Sequence, residues 1–298
     1  MMPARSTSRS KPGRETGRAD LTRLDDLRFD PDAQFALALD LVARSTDMEV
    51  LRAALSVVRS AANPDARPVL HRAYRRGDAR SDSGGFVRAA IVRALRPIIH
   101  LDDLPILEEG LQTYQRVGMY DTAGELRGAS LLALNDLDPD LAALYAARYL
   151  TDPENGNSGE PALTALRILA AQQNLAPVFA FAAWRQGSSD LNGEALRLLV
   201  DLPPSLVHQL VASYRTREDE QELLGMFDLV LAHPARNQFR TEIEDFLRTT
   251  GLLDLYGLVA MQVVVSRDPD LISLLRDLES TEPDALRRSL LQQALEHA

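Results

Sequence analysis

From about residue 31 to the carboxyl end, apolar residues recur at i, i+3, i+4 and i+7, the spacing of amphipathic helices. In LRAALSVVRSAANPDARPVLHRAYRR (51–76), Leu51, Leu55, Val58 and Ala62 form one stripe. Val69, Leu70 and Ala73 form a second after an Asn-Pro-Asp turn. The same grammar of helix, short turn with Pro or Asp, and helix returns along the chain. Its turns are NPDARPVL at 63, LDDLPIL at 101, LDPDLAAL at 137, NLAPVFAF at 174, LPPSLVHQL at 202, HPARNQF at 233 and DPDLISLL at 268. Asp and Asn cap helix amino termini, and Pro is tolerated in the first turn, so each turn ends one helix and starts the next. Capping-box spacings add four expected starts: Thr46 with Glu49, Thr216 with Asp219, Thr241 with Glu244 and Thr281 with Asp284. Strand patterns are scarce, and Val263-Val264-Val265 reads as part of a helix.

A hairpin of this size cannot bury its apolar face alone, whereas stacked neighbours share one core. Seven hairpins spaced about 26 to 40 residues apart over 29–298 resemble the HEAT-like family of α-solenoids. Tetratricopeptide units have a fitting length, but their Trp, Leu-Gly and Tyr signature is missing. The resemblance implies an all-α, right-handed solenoid of about seven stacked antiparallel hairpins with terminal capping helices. Segments 31–44 and 283–297 are the expected caps. Two polar, Gly-containing stretches, RRGDARSDSGG (75–85) and TDPENGNSGE (151–160), read as insertions on exposed edges.

Residues 1–28 change the picture at the amino end. Arg5, Arg9, Lys11, Arg14 and Arg18 stand against one acid, Glu15, up to residue 18, without apolar periodicity, which predicts a disordered basic tail. Lys11 is the only lysine, and no cysteine is present, which removes disulfides and thiolate chemistry. A net charge of −10 weighs against nonspecific binding to nucleic acid or an anionic membrane. The longest apolar stretch, LLDLYGLVAMQVVV at 252–265, is too short to span a bilayer and predicts a buried helix. With no secretory h-region, the expected location is cytoplasmic.

Catalytic signatures such as GxxxxGK[ST], GxGxxG, HExxH and GxSxG do not occur, and no cofactor motif is present. The five histidines lie far apart in sequence, which predicts no metal site. Asp136, Asp138 and Asp140 alternate like the first ligands of a calcium loop. Leu141 and Ala147 stand where Gly and Glu belong, so these aspartates read as helix caps.

One constellation remains. An aromatic residue with arginine beside it recurs near the end of successive second helices: Tyr74 with Arg75, Tyr114 with Arg116, Tyr149 with Arg148, Trp184 with Arg185, Tyr214 with Arg215, and Phe246 with Arg248. Such residues anchor interfaces, and they also fill gaps and cap helices. Because second helices of HEAT-like repeats line the concave face, the resemblance implies a binding ladder there. The implied function is a non-enzymatic scaffold or adaptor that binds another protein, with an acidic segment suited to the arginines. The alternative is a nucleic-acid-binding protein of the HEAT-like DNA glycosylase type, against which the acidic total weighs.

Overall fold

The computed structural model describes residues 12–77, 82–118, 120–152, 159–216 and 218–298. Among them are seventeen α-helices and one two-stranded ribbon. The chain forms two compact units, Met1–Tyr145 with Glu154–Thr164, and Ala146–Pro153 with Ala165–Ala298. The first holds α1 (Pro12–Asp26), α2 (Pro31–Arg44), α3 (Met48–Ala61), α4 (Arg67–Arg76), α5 (Phe86–Leu95), α6 (Leu104–Gln112), β1 (Arg116–Val117), β2 (Tyr120–Asp121) and α7 (Gly124–Leu137). The boundary falls within α8 (Pro139–Leu150) and α9 (Ala162–Ala171). The second unit continues with α10 (Leu175–Trp184), α11 (Ser189–Arg197), α12 (Pro204–Tyr214), α13 (Glu220–Ala232), α14 (Arg240–Thr249), α15 (Leu253–Val265), α16 (Pro269–Thr281) and α17 (Ala285–Leu295).

Each of the seven predicted turns lies at a junction between helices, and the residue after it begins α4, α6, α8, α10, α12, α14 or α16, three of them through a short 3-10 turn. Every second helix contacts the next of its kind in places: α1, α3, α5 and α7 form one series in the first unit, while α2 packs on α4. In the second unit α11, α13, α15 and α17 form such a series, with α10 on α12 and α14 on α16. The odd-numbered helices are therefore covered on several sides. In α13, Leu223, Met226, Phe227, Leu229, Val230 and Leu231 are all buried.

At one crossing the backbones nearly touch. A Cβ added to Gly225 of α13 would stand 2.5 Å from the Cα of Gly193 in α11 and 2.8 Å from its carbonyl carbon. Arginine supplies ties between helices distant in sequence: Arg96 to Asp136 in the first unit, Arg197 to Asp228 at 2.5 Å and Arg236 to Asp268 at 3.3 Å in the second. Its planar fork suits two carboxylate oxygens at once, which ammonium cannot match.

Four starts differ from the sequence expectation. Aspartate, not threonine, caps α3, α13 and α17: Asp47, Asp219 and Asp284 each accept the N–H groups two and three residues ahead. A carboxylate offers two acceptors and a full charge to the positive helix end, and it outcompetes a hydroxyl one or three residues earlier. Thr241 lies inside α14, which grows from the 3-10 turn Arg236–Phe239.

The amino-terminal expectation is also corrected in part. Residues 1–11 lie outside the described residues, but 12–26 form α1, which packs on α2 and α3. Leu24 is buried, its carbonyl accepts from Gln34 at 3.0 Å, and Asp20 pairs with Arg44 at 3.0 Å. One buried leucine and one ion pair leave no periodic stripe to read. Thus α1, ahead of segment 31–44, is the first helix among the described residues, while α17 packs on α15 and α16. Of the two insertions, 78–81 and 153–158 lie outside the described residues. Asp82 accepts from the N–H groups of Val87 and Arg88 at the start of α5. No helix among the described residues is long and apolar enough to cross a membrane.

Candidate functional site

The aromatic–arginine series does not lie on one surface. Tyr74, Tyr149 and Tyr214 are core residues, so the ladder loses three of its six aromatics to packing between helices. Burial pushes the Tyr74 hydroxyl well above the usual tyrosine range. Tyr214 donates its hydroxyl to the Ala182 carbonyl of α10, at 2.7 Å. Tyr114 and Arg116 are not helical. They follow α6 in the segment that becomes the β1–β2 ribbon, where Arg116 pairs with Asp121 and Val117 with Tyr120. Arg127 of α7, wholly buried, stacks 4.1 Å over the Tyr114 ring, pairs with Asp121 at 2.5 Å and donates to the Thr113 carbonyl. Arg75 and Arg148 are exposed on α4 and α8.

The second unit keeps part of the series together. Trp184, Tyr214 and, one turn short of the end, Phe246 close α10, α12 and α14, and the helices end with Arg185, Arg215 and Arg248 at hand. Trp184 is 72% exposed. It ends a helix, LAPVFAFAAW, that has no polar residue. Val178, Phe181 and Ala182 turn inward and are buried. Ala176, Phe179, Ala180, Ala183 and Trp184 occupy the opposite side, exposed or half-buried. At about 15 Å long α10 is far too short to span a bilayer. A helix apolar all round belongs in a core. Here one side of it faces solvent.

A polar cluster fixes the end of this helix. Arg185 takes the left-handed conformation, φ 51°, which helices reserve mostly for glycine. Its guanidinium explains the exception. It donates to both oxygens of Glu222, through Nε at 3.2 Å and through Nη2, and lies 5.6 Å over the Tyr214 ring. Glu222 is 1% exposed and also accepts from Asn192 at 2.9 Å. The bond to Glu222 holds the Arg185 guanidinium above its ordinary pKa. Asp219, one turn earlier, accepts from the Ser189 hydroxyl at 2.6 Å and from the N–H groups of Glu222 and Gln221, which lower its carboxyl pKa. Arg185 is thereby spent inside the molecule, and Arg248 pairs with Glu244 one turn back on α14. What α10 offers outward is apolar surface, which does not select an acidic segment as the arginine series suggested.

No family model, curated protein or solved structure matches this chain.

Phe179 and the alanines beside it were missed, although a run of ten apolar residues without a polar face was visible. Glu222 had no local signal, because its partner is 37 residues away. The remaining candidates resolve as structure. Asp138 accepts from the Leu141 N–H at 3.0 Å as the cap of α8, and Asp136 pairs with Arg96. His71 and Arg67 both reach the buried Asp103 carboxylate, at 2.5 and 3.0 Å, and that carboxylate accepts the His100 N–H. Among the described residues no group of three or more His, Cys, Asp or Glu side chains is placed to hold a metal ion.

Proposed function

We propose that this chain is a non-enzymatic scaffold, that each of its units is a short stack of HEAT-like hairpins, and that a partner protein docks on the outward face of α10. The alternating contacts of odd with odd and even with even helices support the repeat reading. The observation that carries the docking reading is the solvent-facing side of a helix without a polar residue, ending in a 72% exposed tryptophan. Contiguous exposed apolar surface of this kind marks interaction sites, and tryptophan is the residue most enriched among energetic anchors. The Arg185–Glu222–Asn192 cluster beneath it holds the helix end in one conformation, which lowers the ordering cost of binding.

The test is capture from lysate of the source cell with wild-type protein and with the Phe179→Ser, Trp184→Ser double variant, folding being checked by circular dichroism. A discrete partner retained by the wild type and lost by the variant is expected. The same partners on both proteins would refute α10 as the docking face.

A further inference from the structure

At the ends of α12 and α14 the second unit has a pocket of about 120 Å³. Its floor is apolar and aromatic. Met226 and Phe227, both buried, come from α13, and the half-buried Phe246 of α14 packs on Phe227 at a tilt of 48°, with ring centroids 4.5 Å apart. Glu242 and Asp245, one turn apart on the same side of α14, form a wall, and Arg215 stands at the rim. Among the described residues these three charged side chains make no hydrogen bond and no ion pair, whereas Arg248 next to them is paired. One oxygen of Glu242, Oε2, is buried without a donor. A carboxylate oxygen that has given up water without gaining a partner is costly, and a site that keeps one beside an open pocket is short of a donor.

We propose that this pocket takes an arginine side chain of the partner protein. A guanidinium brings several donors in a flat fork to Glu242 and Asp245, and its plane lies against the half-buried ring of Phe246. An ammonium would answer the charge but not the flat aromatic floor. Arg215 fits as a gate on charge: two carboxylates outweigh it, and it excludes weakly held cations. The inference rests on the reading of the chain as a partner-binding protein and supplies the partner's chemistry.

The test titrates Nα-acetyl-arginine amide into the full chain, followed by NMR of the protein, with the neutral isostere Nα-acetyl-citrulline amide as control. The arginine probe binds and the citrulline probe does not. Glu242→Gln weakens binding by about tenfold or more, the loss of a charge-assisted hydrogen bond. Asp245→Asn, at an exposed position where folding is not at stake, weakens it by a smaller factor. Arg215→Gln strengthens it by about threefold, the effect of removing a like charge at a solvated rim. Equal binding of the two probes, or no effect of Glu242→Gln, overturns the proposal. Weaker binding in Arg215→Gln also overturns it, since Arg215 would then be the anchor for an anion. No partner enters this titration, so it succeeds or fails independently of capture through α10.

Discussion

Gly225→Ala sets two opposing effects against each other. In a helix interior alanine is favoured over glycine by about 1 kcal/mol. Against this, the new Cβ would stand 2.5 Å from the Cα of Gly193, while an ordinary contact begins at 3.4 Å, so the backbones of α11 and α13 must part by about 0.9 Å. Neither atom belongs to a flexible side chain, so nothing yields cheaply. A gap of this width forfeits a quarter to a half of each dispersion contact along the crossing, and overpacking of this kind costs about 1–3 kcal/mol. The same movement stretches the bonds that bridge these helices, Asn192 to Glu222 at 2.9 Å and Ser189 to Asp219 at 2.6 Å, at about 1 kcal/mol each. The clash wins, and the net loss is about 3 kcal/mol, or a melting temperature lower by roughly 6–12 °C. Gly257→Ala is the internal control, since its Cβ would make an ordinary 3.5 Å contact with Leu290 and only the helix preference remains. Thermal melts by far-ultraviolet circular dichroism should show Gly225→Ala falling and Gly257→Ala holding or rising. A Gly225→Ala protein as stable as wild type would refute the close crossing of α11 and α13.

Tyr74→Phe should be neutral or stabilising by up to about 1 kcal/mol, because the buried hydroxyl has no hydrogen-bond partner. Burial raises the folded pKa of Tyr74, so its stability contribution is intact below the ordinary tyrosine value, about 10, and is lost as pH rises beyond it. Urea midpoints above that pH should therefore fall less in Tyr74→Phe than in wild type, and an equal fall would contradict the assignment. Ser189→Ala removes the largest cause of the lowered Asp219 pKa. A depressed carboxyl contributes stability above its unfolded pKa of about 4 and loses it as pH falls through the folded value. The variant should be less stable at neutral pH, with the difference shrinking toward acid. A gap that widens in acid would reverse the sign of the argument.

The helices were legible because their stops are local. A Pro, with Asp or Asn near it in most cases, writes the end of one helix and the start of the next within a few residues, and all seven turns sit at junctions. The side of a helix that a later hairpin covers is not local. Tyr214 and Trp184 look alike in sequence, each the last aromatic of a second helix with arginine after it, yet one is buried and the other faces solvent. The difference is made by α13, whose Glu222 draws Arg185 across Tyr214 and leaves Trp184 outside. Arg185 illustrates the same limit, since its carboxylate, Glu222, lies 37 residues further on, in α13. The Tyr114 segment was misread for another reason: Val-Gly before Tyr120 is a turn signal, and Gly118 at φ 65° supplies it, but the helical rhythm on both sides hid it. The α1 helix went unseen because a single buried leucine ties it down.

Photocrosslinking from α10 tests directly whether a partner docks on its apolar face. A benzophenone side chain would replace Trp184 in one protein and Gln209, on the exposed polar side of α12, in another, and both would be irradiated in lysate of the source cell. A discrete covalent adduct is expected from position 184 and none from 209. Adducts from both positions, or from 209 alone, would contradict the apolar face of α10 as the place where the partner binds.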